Sequence, residues 1–318
     1  MRRWTAGVLV VLVLALLAGC SGPTRTATVA PRAPALTQAT PSPSAASCGN
    51  PVASLRPPAT LPPPGQMPAG TYMRTIQEHG RLIAGVSADT KLFGFLNPFD
   101  GQIEGFDIDV LHQIAQAIFG DPNKIEYRAM TGIERINKIR DGSVDLVGRT
   151  FTITCDRRQQ IDFSSVYFDS GDKVLVRKDS TARGIQDLGG KKVCTTAGST
   201  AIPHLNAVPS KPVPDIRADF TDCLVAFQEG QVDAIATDDA ILAGLAAQDP
   251  YAKIIGDRFS DEPYGIGISL DHPEFTRFVN GVLDQMRANG TWAKLYAQWL
   301  VPSLSSTVPP PPAPVYRD

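Results

Sequence analysis

The sequence predicts an α/β protein made of two similar halves, each a largely parallel sheet with crossover helices. Short apolar strands alternate with amphipathic helices across roughly residues 71 to 302. A unit of helix, glycine turn and Val-Asp strand also occurs twice. The first copy runs from about Ile133 through Asp141-Gly142-Ser143 to Val144-Asp145-Leu146-Val147, and the second from Cys223 to Glu229 through Gly230-Gln231 to Val232-Asp233-Ala234-Ile235-Ala236. The copies stand about 88 residues apart, which fits two halves better than one long sheet.

The elements follow in order. Arg81-Leu82-Ile83-Ala84-Gly85-Val86 reads as a strand, and Ile108, Leu111, Ala115 and Ile118 fall at the three-to-four spacing of one helix face. Asp107 and Asp109 stand at the start of that helix, where carboxylates complement the dipole. Lys192-Val193-Cys194-Thr195 reads as a strand, Cys223 as the start of a helix, and Asp239 as a helix N-cap.

Ahead of the body, Arg2 and Arg3, the apolar run from Val8 to Ala18 and the string Leu17-Ala18-Gly19-Cys20 supply the three parts of an export signal. The apolar run, about eleven residues, is shorter than the ~20 needed to span a bilayer. Residues 1–19 are read as a signal peptide resembling that of bacterial lipoproteins, with Cys20 lipidated and the chain anchored outside the cell membrane. Residues 20–70 are rich in Pro, Ala, Thr and Ser and hold no Asp or Glu, so they are expected to form a disordered stalk. Residues 303–318, with Pro309-Pro310-Pro311-Pro312, are expected to be a disordered tail.

A formal net charge of -2 over 318 residues offers no basic field for a phosphate backbone, which excludes nucleic acid as the expected partner. With Cys20 lipidated, Cys48, Cys155, Cys194 and Cys223 remain, an even number suited to an oxidising compartment. Four cysteines permit three pairings, and sequence alone does not choose among them. The expected pairs are Cys194 with Cys223, which share one half of the chain, and Cys48 with Cys155. There is no CxxC spacing, no HExxH, no GxSxG and no phosphate-binding glycine loop, and His79, His112, His204 and His272 are scattered. No catalytic residue, metal or cofactor is expected.

Six strings then occur in a fixed order: Gly105-Phe106-Asp107-Ile108-Asp109-Val110, Thr152-Ile153-Thr154-Cys155-Asp156-Arg157, Ile161-Asp162-Phe163-Ser164, Gly198-Ser199-Thr200, Gln231-Val232-Asp233-Ala234 and Tyr264-Gly265-Ile266. Together they resemble the extracellular polar-amino-acid solute-binding proteins, family 3, of ABC importers, especially glutamine- and glutamate-binding lipoproteins, over about residues 72 to 300. The resemblance implies a periplasmic-binding-protein-like type II fold, with two α/β lobes joined by two hinge strands and a ligand cleft between them. By position, the crossings lie near Tyr167 to Gly171 and Asp261 to Tyr264. Lobe one is then 71–166 plus 265–302 and lobe two 172–260.

The resemblance also implies a site. Arg157 takes the place of the family's carboxylate-binding arginine, a role suited to a planar fork of five donors. Ser199 and Thr200 precede an expected helix, where free N–H groups favour an anion. Asp238, with Thr150 or Thr152, is implied to receive the ammonium. Arg149 and Lys91 depart from a neutral-ligand pattern and would suit a second carboxylate, unless one of them pairs with Asp89 or Asp172. Phe93, Phe95 and Phe168 are candidate walls. The implied ligand is free glutamate, aspartate, glutamine or asparagine, held by a monomer. Its expected partner is the membrane permease of an ABC importer, or alternatively a membrane signalling protein that reads the same binding.

Overall fold

The computed structural model describes residues 48–318. The expected signal peptide, Cys20 and the stalk up to residue 47 lie outside the described residues.

Two five-stranded sheets are wound in the same order. The first runs Ile125–Ala129, Leu82–Val86, Leu146–Val147, Gly267–Ile268, Asp162–Phe163, and the second Val213–Arg217, Lys192–Thr196, Ala234–Asp238, Asp172–Arg177, Ala252–Ile255. In each, the first three strands are parallel and the fourth runs antiparallel to both its neighbours. The repeated Val-Asp pair has a structural reason. Asp145 N–H donates to Ile83 O at 2.8 Å and its carboxylate accepts from Ile83 N–H at 2.7 Å. Asp233 makes the same double bond with Lys192, at 2.9 Å in both directions. In each half an aspartate holds the strand beside it at its first residues.

Side chains divide as the pleat requires. Val174 and Val176 join the apolar cluster on one face of the second sheet, and Leu175 the cluster on the other. In the first half, helix Phe106–Phe119 buries Ile108, Leu111, Ala115 and Ile118 against the sheet and against helix Pro273–Ala288. Gly105 begins that helix at φ 137°, and a Cβ there would lie 2.3 Å from Phe93 O, so only glycine fits. A two-stranded antiparallel ribbon, Phe168–Ser170 with Glu262–Tyr264, links the two sheets.

Several local expectations shift. The helix expected from Ile133 begins at Arg135, because the Glu134 carboxylate accepts from Thr131 N–H and Oγ1 (2.8 and 2.7 Å) and holds a turn. The helix expected from Cys223 begins at Phe220, capped by Asp219, whose carboxylate accepts from Asp222 N–H at 3.0 Å. Asp239 is the first helical residue rather than the cap; its carboxylate accepts from Ser170 Oγ and Arg258 Nε, each at 2.7 Å. Both expected disulfides are present, Cys48–Cys155 and Cys194–Cys223, with Cα separations of 5.5 and 5.6 Å.

The segments expected to be loose differ more. Ser54–Leu55 pairs in parallel with Tyr316–Arg317, so the described part of the stalk region and the tail end form one small sheet. Asn280, buried on helix Pro273–Ala288, donates to Ser54 Oγ (2.8 Å) and Leu55 O (2.6 Å), and Arg287 Nε donates to Pro312 O at 3.0 Å. Leu55 and Met67 are buried, and Leu61 packs where a Cβ on Gly281 would come within 2.7 Å. Proline-rich composition signals a chain without internal hydrogen bonds. It does not exclude extended backbone whose bonds are supplied from a neighbouring helix. Among the described residues, no helix is long and apolar enough to cross a membrane.

Candidate functional site

Between the two sheets lies a narrow pocket of about 20 Å³, lined by Arg135, Arg149, Thr150, Thr152, Arg157, Ser199, Thr200, Thr237 and Asp238, with Gly132, Thr196, Phe220 and Ile241. Seven of the residues expected from the sequence therefore come together there: Arg149, Thr150, Thr152, Arg157, Ser199, Thr200 and Asp238. Lys91, Phe93 and Phe168 are not among the lining residues. Phe93 and Phe168 meet edge to face at 5.2 Å inside the aromatic core, because the flanking strands turn them toward helix Phe106–Phe119. Phe95 pairs with Glu104 in a small three-stranded sheet. A larger open concavity of about 610 Å³ on the second half carries Arg177, Arg183 and Lys191 against Asp179, Asp187 and Asp233, a balanced and dispersed set.

The first half contributes cations. Thr154 caps the short helix Cys155–Arg158 by accepting from Arg157 N–H at 3.2 Å, which fixes the base of the Arg157 side chain. The Arg157 guanidinium donates to Thr152 O (2.6 Å) and, across the cleft, to Gly198 O (2.9 Å), while lying over the Phe151 ring at 5.0 Å. Burial pushes its pKa down to about 10, opposed by Glu262 and Asp238. Arg135 was not singled out in the sequence. It donates to Gly132 O (2.8 Å), Arg149 O (3.3 Å) and Gly198 O (3.2 Å) and stacks on Phe151 at 4.1 Å. Burial, then the charges of Arg157 and Arg149, hold its pKa well below the ordinary value. A guanidinium does not lose its proton under such pressure, so the cost appears as a demand for an anion. Its sequence signal was its i,i+4 relation to Ile139, which puts both on one buried helix face.

Arg149 is 4% exposed and is already engaged: Nε donates to Met130 O at 2.8 Å and Nη2 lies 3.7 Å from Asp89 Oδ1. Asp89 in turn accepts from Phe220 N–H of the second half at 2.9 Å. Thr150 adopts φ 37°, rare for a β-branched residue. Its N–H is held at 2.8 Å by the buried carboxylate of Asp107, which also accepts from Tyr167 Oη at 2.6 Å and is pushed up to about 6 by burial. Asp107 therefore braces the pocket wall, a task beyond complementing a helix dipole.

The second half contributes acceptors and hydroxyls. Asp238 ends a central strand opposite Asp172 in the antiparallel register and accepts a hydrogen bond from Tyr264 Oη. Burial first, then the charges of Asp172 and Glu262, raise its pKa well above the ordinary carboxylate value. Thr200 Oγ1 donates to Glu262 Oε2 at 2.6 Å, and Ser199 Oγ accepts from Ala201 N–H at 3.1 Å. Thr237 Oγ1 is buried and has no hydrogen-bond partner among the described residues. Gly198, at φ 80°, approaches so closely that a Cβ would lie 2.9 Å from Ile133 Cα. The halves thus meet in a closed arrangement with room for about one water molecule.

Asp172, His204 and Glu262 form one cluster of metal-ligating residue types, with His204 Nδ1 2.7 Å from Asp172 Oδ2 and 3.4 Å from Glu262 Oε1. The shorter separation is that of a hydrogen bond, satisfied by a proton.

The described geometry can be set beside known proteins. A family model described as bacterial extracellular solute-binding proteins, family 3, matches residues 82–302. The ABC transporter glutamine-binding protein GlnH of Bacillus subtilis is 36% identical over 230 residues, 72% of this chain and 84% of the relative. The glutamine-binding protein of Geobacillus stearothermophilus is 42% identical over 215 residues, 66% of this chain and 80% of the relative. Among solved structures, an ancestral arginine-binding protein bound to glutamine superposes with a TM-score of 0.65 at 33% identity, covering 70% of this chain and 98% of that one.

Proposed function

Since the chain belongs to the bacterial extracellular solute-binding proteins, family 3, a family of amino-acid-binding, non-enzymatic subunits of ABC importers, we propose that it captures glutamine outside the cell membrane and presents it to its importer while anchored by lipidated Cys20. Three arginines on one wall face Asp238 on the other, which matches the carboxylate and ammonium ends of a zwitterion. Thr237 Oγ1, buried and without a hydrogen-bond partner among the described residues, supports a further bond to the ligand.

The observation that carries the choice of side chain is the pairing of Arg149 with Asp89. A free Arg149 would favour a second carboxylate. With Asp89 at 3.7 Å its charge is largely offset, and a ligand carboxylate would approach an anion as well as a cation. An uncharged amide, donor and acceptor at once, suits such a pair. The names of the two relatives above support the same reading. The pocket fits a ligand only if the halves part and close again, so binding shifts a population between open and closed forms.

A thermal-shift and calorimetric panel of all amino acids tests this, with glutamine expected to give the largest stabilisation and glutamate a weaker one. Glutamate binding as tightly as glutamine would overturn the assignment. Labelled glutamine uptake in cells lacking the protein tests the importer role, and unchanged uptake would count for the signalling alternative.

A further inference from the structure

Three buried carboxylates gather at one side of the pocket. Asp172 and Asp238 stand opposite each other on neighbouring antiparallel strands of the second sheet, and Glu262 lies on the ribbon; their exposures are 0%, 4% and 1%. The donors at hand do not satisfy them all. Glu262 accepts from Thr200 Oγ1 (2.6 Å) and Ser260 Oγ (2.8 Å), Asp238 from Tyr264 Oη, and Asp172 Oδ2 lies 2.7 Å from His204 Nδ1. Asp172 Oδ1 has no donor among the described residues. The carboxyl within hydrogen-bonding reach of Asp172 is that of Asp238. Two carboxylates cannot bond to each other, but a carboxyl and a carboxylate can, through one proton that belongs to the pair.

We propose that Asp172 and Asp238 share one proton in the ligand-free protein and that the ligand's ammonium displaces it, so that capture releases a proton to solvent. The inference rests on the role given to Asp238 in the function proposed above. The O–H bond breaks with its electron pair left on the carboxylate, and the ammonium supplies the positive charge that the proton supplied before. Parting of the halves leaves the pair intact, because both strands belong to the second sheet. The direction of the Asp238 shift agrees: burial first, then the charges of Asp172 and Glu262, raise its pKa well above the ordinary carboxylate value. The other groups that face the pair are His204 from helix Ala201–Ala207, Glu262 and Tyr264 from the ribbon, and Arg135 and Arg157 from the first half. Asp239, next along the chain, is paired with Arg258 at 2.7 Å, and Lys173 follows Asp172 on the alternate face of its strand. Strand Lys192–Thr196 and helix Phe220–Gln228 carry one charge each, Lys192 and Asp222, both exposed. Asp107, on the opposite wall, is the carboxyl that burial pushes up to about 6.

Calorimetry of glutamine binding to the full chain near neutral pH, in buffers of small and of large ionisation enthalpy, counts the proton. Release approaching about one proton is expected, and because the free protein then binds more protons than the complex, affinity should rise with pH, by at most about tenfold per unit, until the pair is ionised without ligand. Asp172→Asn keeps an acceptor for His204 and turns a donor toward Asp238, so its release should fall well below that of the wild type. His204→Gln should keep the release, which separates the carboxyl pair from the imidazole. No release by the wild type, undiminished release in Asp172→Asn, or its abolition in His204→Gln overturns the proposal. The ligand-free protein gives a second reading. Its infrared spectrum at neutral pH should hold a protonated-carboxyl carbonyl band that is weaker in Asp172→Asn, and equal bands in the two proteins overturn the proposal whatever the ligand is. If the wild type binds another amino acid instead of glutamine, the reading of the ligand fails, and the two-buffer measurement with that amino acid still decides whether a proton leaves.

Discussion

The two halves share one strand order and one aspartate device, yet their cleft-facing surfaces are opposite in charge. Arg135, Arg149 and Arg157 belong to the first half, whereas Asp238 and Asp172 end or begin strands of the second, with Glu262 on the ribbon between them. The repeat explains the scaffold; the departures from it explain the site. Neither wall is comfortable alone. Burial works against the charge on the arginines of one and on Asp238 of the other, and the proposed zwitterion, held between the walls, would answer both demands.

The largest test of that reading removes one charge from each wall. Arg157→Ala deletes the fork held between Thr152 O and Gly198 O and leaves the ligand carboxylate short of a partner. A loss of about 4 kcal/mol in binding, roughly a thousandfold, is expected by calorimetry. Asp238→Asn removes the opposite charge and should cost about a hundredfold. If either variant bound every amino acid as the wild type does, the zwitterion match would be wrong.

Next come the disulfides, one in each half. Cys48–Cys155 spans 107 residues and anchors the helix that carries Arg157, whereas Cys194–Cys223 spans 29. On chain entropy, removing the longer link should cost about 4.7 kcal/mol and the shorter about 3.5. Urea unfolding of the two double Cys→Ser variants measures both, and equal costs would show that strain or residual unfolded structure outweighs loop length. Only the longer link should also weaken ligand binding, because only it holds the arginine-bearing helix.

How much of this was legible depended on distance along the chain. The strand at residue 82, the helix face Ile108 to Ile118 and both Val-Asp strands were visible because their signals are local periodicities. The cleft residues came from short strings around Arg157, Gly198 and Asp238. Arg135 was hidden because a helical arginine reads as a solvated side chain until the opposing carbonyl of Gly198, 63 positions on, is known. The Asp172, His204 and Glu262 cluster was hidden likewise, being drawn from three separate elements. Pro-rich residues 48–70 and 303–318 misled through composition, since the bonds that order them come from Asn280 and Arg287.

The shared aspartates offer a smaller test. Asp145 also accepts from Tyr72 Oη at 2.7 Å and is partly buried, with its pKa raised by that burial, whereas Asp233 is exposed and bridges only to Lys191 at 3.6 Å. Removing a largely buried acceptor strands its donors; removing an exposed one leaves them to water. Asp145→Ala should therefore destabilise by about 2 kcal/mol and Asp233→Ala by less than about 1. Equal urea midpoints for the two variants would mean that the strand-end bond, and not its burial, sets the cost.

The finest prediction concerns Asp89, the carboxylate 3.7 Å from Arg149. Asp89→Asn keeps an oxygen for Phe220 N–H but removes the charge beside Arg149. Some affinity is expected to be lost for every ligand, because Asp89 joins the halves through that bond. That loss is common to glutamine and glutamate, so the ratio of their affinities isolates the charge. With the Arg149 charge uncovered, the ratio should move toward glutamate by about tenfold, or about 1.4 kcal/mol. Competition calorimetry reads it directly. A ratio that stays where it is in the wild type would mean that Arg149 does not face the ligand's side chain, and the neutral-amide argument would then have to rest on another residue.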